Sequence, residues 1–430
     1  MAFEPIAIVG RSCLLPGALN PQQLAEAVLA GRDLVSDAPD DRWGVPGHLA
    51  LTDDPAQSDD RAWTNRGGYV RGWEAVRDAA DPFPMGEALL ELDPLFQWVL
   101  LTGREALRDA GHEGSNDRVG AVMGNLSFPA SAMSRFAESV WFDRAPVDAR
   151  NRFMSGLPAH MLAEQLGLGA GAFALDAACA SSLYAIKLAC DKLHDRDADV
   201  MLAGAVCRSD DLFIHVGFCA LNAMSKSGRS RPFHAKADGL VPGEGAAFVA
   251  LKRLSDAERD GDRILGVIRG VGLSNDGRGR GLLAPSSDGQ SRALAEAWAM
   301  SGCDPKRLSL AECHATGTTV GDAAELQTMA RVLGEHVDEL PIGSLKSNMG
   351  HLITTAGAAA CSRCSLPWRP GCAPPPCTPT SSTPPWPISP SAWSQPPSHG
   401  TATARASPAC RPSASAATTP TSSSKNTQGR

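Results

Sequence analysis

The stretch AFALDAACASSLYAIKLACDKL, residues 172–193, decides how the chain is read. Residues 172–177 are short, apolar and bounded by glycine-rich sequence, the signature of a buried strand. From residue 180 onward Leu183, Ile186, Cys190 and Leu193 recur at helical spacing, which predicts a helix over 180–193. Cys179 therefore falls at a strand-to-helix turn. Free amides and the positive end of the helix dipole favour a thiolate there, and a sharp turn presents the sulfur to a pocket. A cysteine among Ala and Ser also fits a small packing residue, so the turn makes Cys179 a candidate nucleophile without deciding the matter. Cys190, Cys207, Cys219, Cys303 and Cys313 lack such a turn and are read as packing residues.

Two later blocks bring histidines to similar junctions. LSLAECHATGTTVGDAAEL (308–326) reads as a strand entering a small-residue loop at His314, then a helix with Ala323, Leu326, Met329 and Leu333 on one face. PIGSLKSNMGHL (341–352) places Lys346 and His351 in another strand-loop-helix junction, close enough in sequence to meet in one pocket. Either histidine alone also fits a structural role, and Lys346 alone fits a solvated charge. The glycine-rich run 277–281 matches neither a Walker nor a dinucleotide fingerprint and reads as a turn plus a channel loop. The basic string RSRPFH (229–234) is read as a surface loop, with contact to a partner protein as the alternative.

Taken together, DAACASSLYAIKLA, ECHATGTTVGDAAE and GSLKSNMGHL resemble, in the right order, the three signature blocks of the β-ketoacyl synthases, the condensing enzymes of fatty-acid and polyketide synthesis. EPIAIVGRSCLLPGA resembles the family's opening strand and loop, so the likeness runs from about Glu4 to about Ala360. LACDKLHD, DDLFIHVGFCAL, SRPFHAKADGLVPGEGAA and GVGLSNDGRGRGLLAPS are most similar to ketosynthase domains of iterative enediyne-type polyketide synthases, with polyunsaturated-fatty-acid synthases next. Modular synthases more typically have Asp where His234 stands and Arg where Pro242 stands.

The resemblance implies an α/β thiolase-like fold of two duplicated halves in five alternating layers, usually as a homodimer. It implies Cys179 as acyl-accepting nucleophile, with His314 and His351 serving a malonyl unit in decarboxylative Claisen condensation. Lys346 belongs to the support shell, Glu325 is expected to pair with it, and Asp322 either joins that shell or favours its helix start. No metal or tightly bound cofactor is expected, because the substrates ride on the phosphopantetheine arm of an acyl carrier protein. An acyltransferase domain on the same natural chain is a further expectation. Retention of Cys179 speaks against a non-catalytic ketosynthase-like partner, and the paired histidine motifs speak against a carrier-independent thiolase-like enzyme.

Composition bounds these readings. The 430 residues are 43% hydrophobic and 20% charged, ordinary for a globular enzyme. No apolar run is long enough for a membrane span and no signal peptide opens the chain. Twelve cysteines without a regular framework suggest reduced thiols and a cytoplasmic setting. Residues 361–430 carry six Lys or Arg and no acid, so 34 basic against 47 acidic residues leave −13 on residues 1–360. Such an acidic body is a poor nucleic-acid binder.

The chain divides into 1–255 with the nucleophile, 256–360 with both histidines, and a tail from 361. The tail holds 15 of the 32 prolines and 5 of the 12 cysteines but no Val, Met or Phe. It cannot build a core. Its Ala, Pro, Ser, Thr, Arg, Gly, Cys and Trp are residues whose codons carry C or G in the middle position, which fits a one-base slip near codon 361 of a GC-rich gene. The family's closing strands, with a Phe-Gly-rich block whose backbone amide completes the oxyanion hole, are then missing, and the printed chain is expected to be insoluble or inactive. That makes an inactive remnant the competing reading.

Overall fold

The computed structural model describes residues 3–366, apart from 41, 55–59, 113, 209–210, 279–283 and 338. Its strands are β1 (Ile6–Leu14), the short antiparallel pair β2 (Ser36–Asp37) and β3 (Arg66–Gly67), β4 (Val119–Asn125), β5 (Ala172–Leu175), β6 (Val200–Cys207), β7 (Gly245–Arg253), β8 (Gly266–Ile268), β9 (Ala311–Glu312) and β10 (Ile342–Gly343). Six of them form one mixed sheet in the order β5-β4-β6-β7-β1-β8. The β5, β4 and β6 strands run parallel, whereas β7, β1 and β8 join antiparallel.

Every residue of β4 and β6 is buried, as expected where helices cover both faces. On one face the Pro94–Asp109 and Leu157–Leu166 helices enclose Phe96, Trp98, Leu100, Met123, Leu162 and Phe248. The first of these helices begins where Pro94 presets the backbone and the Asp93 carboxylate accepts the Leu95 amide. On the other face the Ser181–His194 helix packs Ile186, Cys190 and Leu193 against Val122, Met201, Val249 and Leu251. Alternate residues of β4 thus serve opposite cores, the period-two consequence of a strand.

The second half continues the layering. The Ala356–Cys364 helix lies beside the Ser181–His194 helix, where the Ser182 hydroxyl accepts the Ala358 amide at 3.0 Å. Arg363 on that helix pairs with Glu312 of β9. Beyond the parallel pair β9–β10, the Ser287–Ser301 and Thr319–Leu333 helices bury Cys313, Ala315, Met329 and Leu333 with Leu294 and Trp298. Helices, sheet, helices, sheet, helices is the resulting order, with two strands in the second sheet among the described residues.

Several sequence expectations need correction. Residues 172–175 are an edge strand rather than a buried one, and Phe173 is 42% exposed, because β5 ends the sheet. Leu183, expected on the buried helix face, is 45% exposed. Cys303, expected to pack, is exposed. The β8 strand pairs with β1, and the last helix among the described residues ends at Cys364.

Candidate active site

Cys179 stands in a single 3-10 turn, Ala178–Ala180, between β5 and the Ser181–His194 helix. Ala178 before it is held at φ 49, a left-handed conformation uncommon outside glycine. The buried Ser181 hydroxyl maintains this turn, accepting the Ala177 amide at 2.8 Å and donating to the Ala178 carbonyl at 2.7 Å. Around the sulfur pack Leu126, Cys207, Ile214, Phe218 and Ile353.

His351 is brought to Cys179 by the turn after the Lys346–Met349 helix. Gly350 takes φ 76 there, and a Cβ on it would lie 2.7 Å from the Val241 carbonyl. The His351 amide donates to that same carbonyl at 2.7 Å, so glycine permits the approach that fixes the histidine backbone. The ring is buried, with Nε2 3.0 Å from Cys179 Sγ. Its Nδ1 accepts the Ile353 amide at 3.1 Å, which places the neutral ring's proton on Nε2, facing the sulfur. Ile353 is β-branched yet sits at φ 46, local strain that turns its amide onto the ring.

His314 follows β9, and its ring meets that of His351 edge to face, centroids 5.2 Å apart. The Glu325 carboxylate accepts the successive amides of His314 and Ala315, each at 2.7 Å. One sulfur and two imidazole nitrogens thus lie within 4.8 Å of one another. Two ligands of one tetrahedral zinc would stand roughly 3.5 Å apart. The 3.0 Å S···N contact is instead a hydrogen-bond distance.

Electrostatics adjust the sequence picture. Burial raises the Cys179 thiol above its ordinary pKa, opposed chiefly by the Lys346 charge. The helix start therefore does not by itself yield a thiolate. Burial and Lys346 push both histidines toward their neutral, single-donor form, His351 most strongly. His314 is exposed and feels that push less. Lys346 is buried, and its own pKa is lowered by burial against the pull of Glu312 and then Glu325.

Glu325 does not form the expected pair with Lys346; its oxygens instead grip the His314 loop, and its action on Lys346 is through space. Asp322, buried in the first turn of its helix, accepts the Phe233 amide at 2.7 Å and the Gly317 amide at 3.2 Å. It thereby ties the 229–234 segment to the histidine loop. Ser230 on that segment donates to the Lys346 carbonyl at 2.6 Å, so a string that reads as a plain surface loop braces the site. Its mixture of charged and aromatic residues conceals this, although the single buried Pro232 between Arg231 and Phe233 hints at a fixed turn. Of the glycine-rich run 277–281, residues 279–281 lie outside the described residues.

Residues 3–257 match the beta-ketoacyl synthase N-terminal domain, and residues 265–378 match its C-terminal domain. The chain belongs to the β-ketoacyl synthase family. Among the ketosynthase's relatives, a mycocerosic acid synthase-like polyketide synthase of Mycolicibacterium smegmatis is 37% identical over 370 residues, covering 82% of this chain and 16% of the relative. A PKS-NRPS hybrid synthetase of Aspergillus niger is 34% identical over 84% of this chain and 20% of the relative. The ketosynthase thus spans a fifth or less of the length of these curated relatives. The PfaC keto synthase-chain length factor superposes with a TM-score of 0.76 at 36% identity, over 84% of this chain and 41% of the other. The oxazolomycin ketosynthase domain of Streptomyces albus gives 0.75 at 32%, over 84% and 62%. The fold is the thiolase-like fold of these acyl-condensing enzymes. Among the described residues no helix is long and apolar enough to cross a membrane.

Proposed function

We propose that the natural protein extends polyketide chains by decarboxylative Claisen condensation. The observation that carries this reading is the His351 Nε2 contact to Cys179 Sγ with His314 beside it. In the first half-reaction the Cys179 sulfur attacks the carbonyl of an acyl thioester, forming an acyl-enzyme and releasing the pantetheine thiol. In the second, a malonyl thioester loses carbon dioxide from its carboxylate, and the electron pair passes into an enolate. The Nε2–H of His351 and a ring N–H of His314 donate to the enolate oxygen. The enolate carbon then attacks the acyl carbonyl, the Cys179 sulfur leaves, and the product is a β-ketoacyl chain two carbons longer. Neutral histidines suit this work because each keeps one proton aimed at the oxygen.

Phosphopantetheine enters here as the substrate's carrier arm, so an acyl carrier protein is the partner, with an acyltransferase domain on the same natural chain. The iterative enediyne-type subfamily is supported by the motif strings around His234 and Pro242, and the polyunsaturated-fatty-acid synthase ketosynthase is the nearest alternative. A homodimer is supported by the open edge of β5 and by the exposed Phe128, Trp141, Phe142, Phe153 and Phe213. Free cysteines suit a cytoplasmic setting.

An inactive product of the printed reading frame is favoured by a separate observation. The buried face of the Ala356–Cys364 helix carries Ser362 and Arg363, whose Oγ and Nε have no hydrogen-bond partner among the described residues. The two readings separate in an assay of malonyl-thioester decarboxylation. It is run on the printed chain and on a restored chain in which residues 361–430 are exchanged for a relative's ketosynthase ending. We expect turnover in the restored chain, a loss of roughly 10²–10³-fold in either His314→Ala or His351→Ala, and continued decarboxylation in Cys179→Ala. A soluble restored chain whose decarboxylation ignores both histidine substitutions overturns the proposal.

A further inference from the structure

The geometry points to Glu312 as a positioning residue that holds the Lys346 ammonium charged beside the nucleophile, by joining the strand before His314 to the backbone before Lys346 and to the helix after His351. The inference rests on Cys179 being the nucleophile of the proposed condensation.

Three contacts carry it. Glu312 ends β9, two residues before His314, and its side chain is only 7% exposed. One carboxylate oxygen accepts the amide of Leu345 at 2.6 Å, the residue that immediately precedes Lys346. The other oxygen meets Arg363, itself buried, on the Ala356–Cys364 helix. The backbone repeats the link, because Glu312 is paired with Gly343 and the Cys313 amide donates to the Gly343 carbonyl at 2.7 Å. A Cβ on Gly343 would lie 3.1 Å from Arg363 Nη2, so the missing side chain leaves room for the guanidinium over the strand pair.

A buried ammonium is costly unless anions stand nearby. Lys346 forms no ion pair within the described residues. The carboxylates whose fields sustain it are Glu312 first and Glu325 second, and the cations facing Glu312 are Arg363 and Lys346. Glu325 is occupied by the His314 and Ala315 amides. Glu312 is bonded to the residue next to Lys346, and so fixes both the charge and the place from which it acts. Lys346 in turn is the main charge favouring the Cys179 thiolate, with Asp176 opposing it.

The test uses the chain with residues 364–430 exchanged for a relative's ketosynthase ending, which keeps Arg363, and reads the pH midpoint of Cys179 alkylation by iodoacetamide, located by peptide mass. It needs soluble protein but no turnover. Lys346→Met removes the cation and should raise the midpoint. Glu312→Gln keeps the shape and the amide acceptor while losing the charge. It should raise the midpoint in the parent by about half a pH unit, a roughly threefold smaller thiolate fraction below it, and should have no effect in the Lys346→Met background. Glu312→Asp keeps the charge and should retain the parent midpoint, which serves if the glutamine variant does not fold. An equal Glu312→Gln shift in both backgrounds overturns the inference. So does an unmoved midpoint in Lys346→Met, or a Glu312→Asp midpoint raised to that of Lys346→Met. Failure of acyl uptake with this pattern of midpoints intact would instead count against the condensation reading alone.

Discussion

At Cys179 the local sequence and the three-dimensional surroundings pull the thiol in opposite directions. The helix start and the Lys346 charge favour ionisation, whereas burial disfavours it, and burial is the larger effect. The sulfur's proton therefore leaves at a higher pH than that of an exposed cysteine. We predict that Cys179 alkylation in the folded chain lags that of the same cysteine in the urea-unfolded chain as pH rises, measured by peptide mass. The two histidines respond with the opposite sign. Their pKa values are lowered, so they stay neutral while pH falls through the ordinary histidine range. Decarboxylation should accordingly show no loss centred on that range, and a fall centred there would show that at least one of the two histidines is not held neutral. The same depression carries a stability cost on acidification. The unfolded chain takes up protons that His351 refuses, so stability is lost as pH drops below the ordinary histidine value.

At the scale of elements, the site is a meeting of three strand or loop ends, each held by a side-chain or backbone tie. Ser181 secures the Cys179 turn, Glu325 the His314 loop, and the Val241 carbonyl the His351 turn. Gly350→Ala tests the last of these. The added Cβ meets the Val241 carbonyl, and the backbone keeps a positive φ with extended ψ that essentially glycine alone adopts, which should cost about 1–3 kcal/mol. Thermal denaturation reads the loss, and an unchanged midpoint would show that the turn is not constrained as described.

The elements also show what can be read from residues alone. Strand, turn and helix around Cys179 are legible because apolar residues change their spacing there, and His314 and His351 because each lies in a strand-loop-helix junction. Which element lies at a sheet edge is a property of strand order, so periodicity misplaces Phe173 and Leu183. Lys346 is legible through the family motif, but its counter-charge is not. Glu312 sits in a two-residue strand, and its partners Leu345 and Arg363 lie 33 and 51 residues away. Nothing local in sequence marks such a link. Asp322 likewise looks like an ordinary helix-start acid until its bond to Phe233 places it between two loops.

Across the whole molecule, the layered fold is recognisable while its final stretch is compositionally foreign to it. The helix beginning at Ala356 turns polar on its buried face at Ser362 and Arg363, just where the sequence suggests a slipped reading frame. Exchanging residues 361–430 for a relative's ketosynthase ending should move the protein from aggregates to a soluble dimer, read by light scattering. A printed chain that is already a monodisperse dimer would contradict the slipped-frame reading. Deletion of the exposed aromatic side chains Trp141 and Phe142 in the restored chain should weaken the dimer and leave the monomer folded.

The most direct measurement is mass mapping of acyl transfer from an acyl-pantetheine thioester to the restored chain. The account predicts one acyl group per chain, on the peptide that contains Cys179, with release of free pantetheine thiol and no uptake in Cys179→Ala. A soluble, folded restored chain that takes up no acyl group, or takes it up equally in Cys179→Ala, would contradict it.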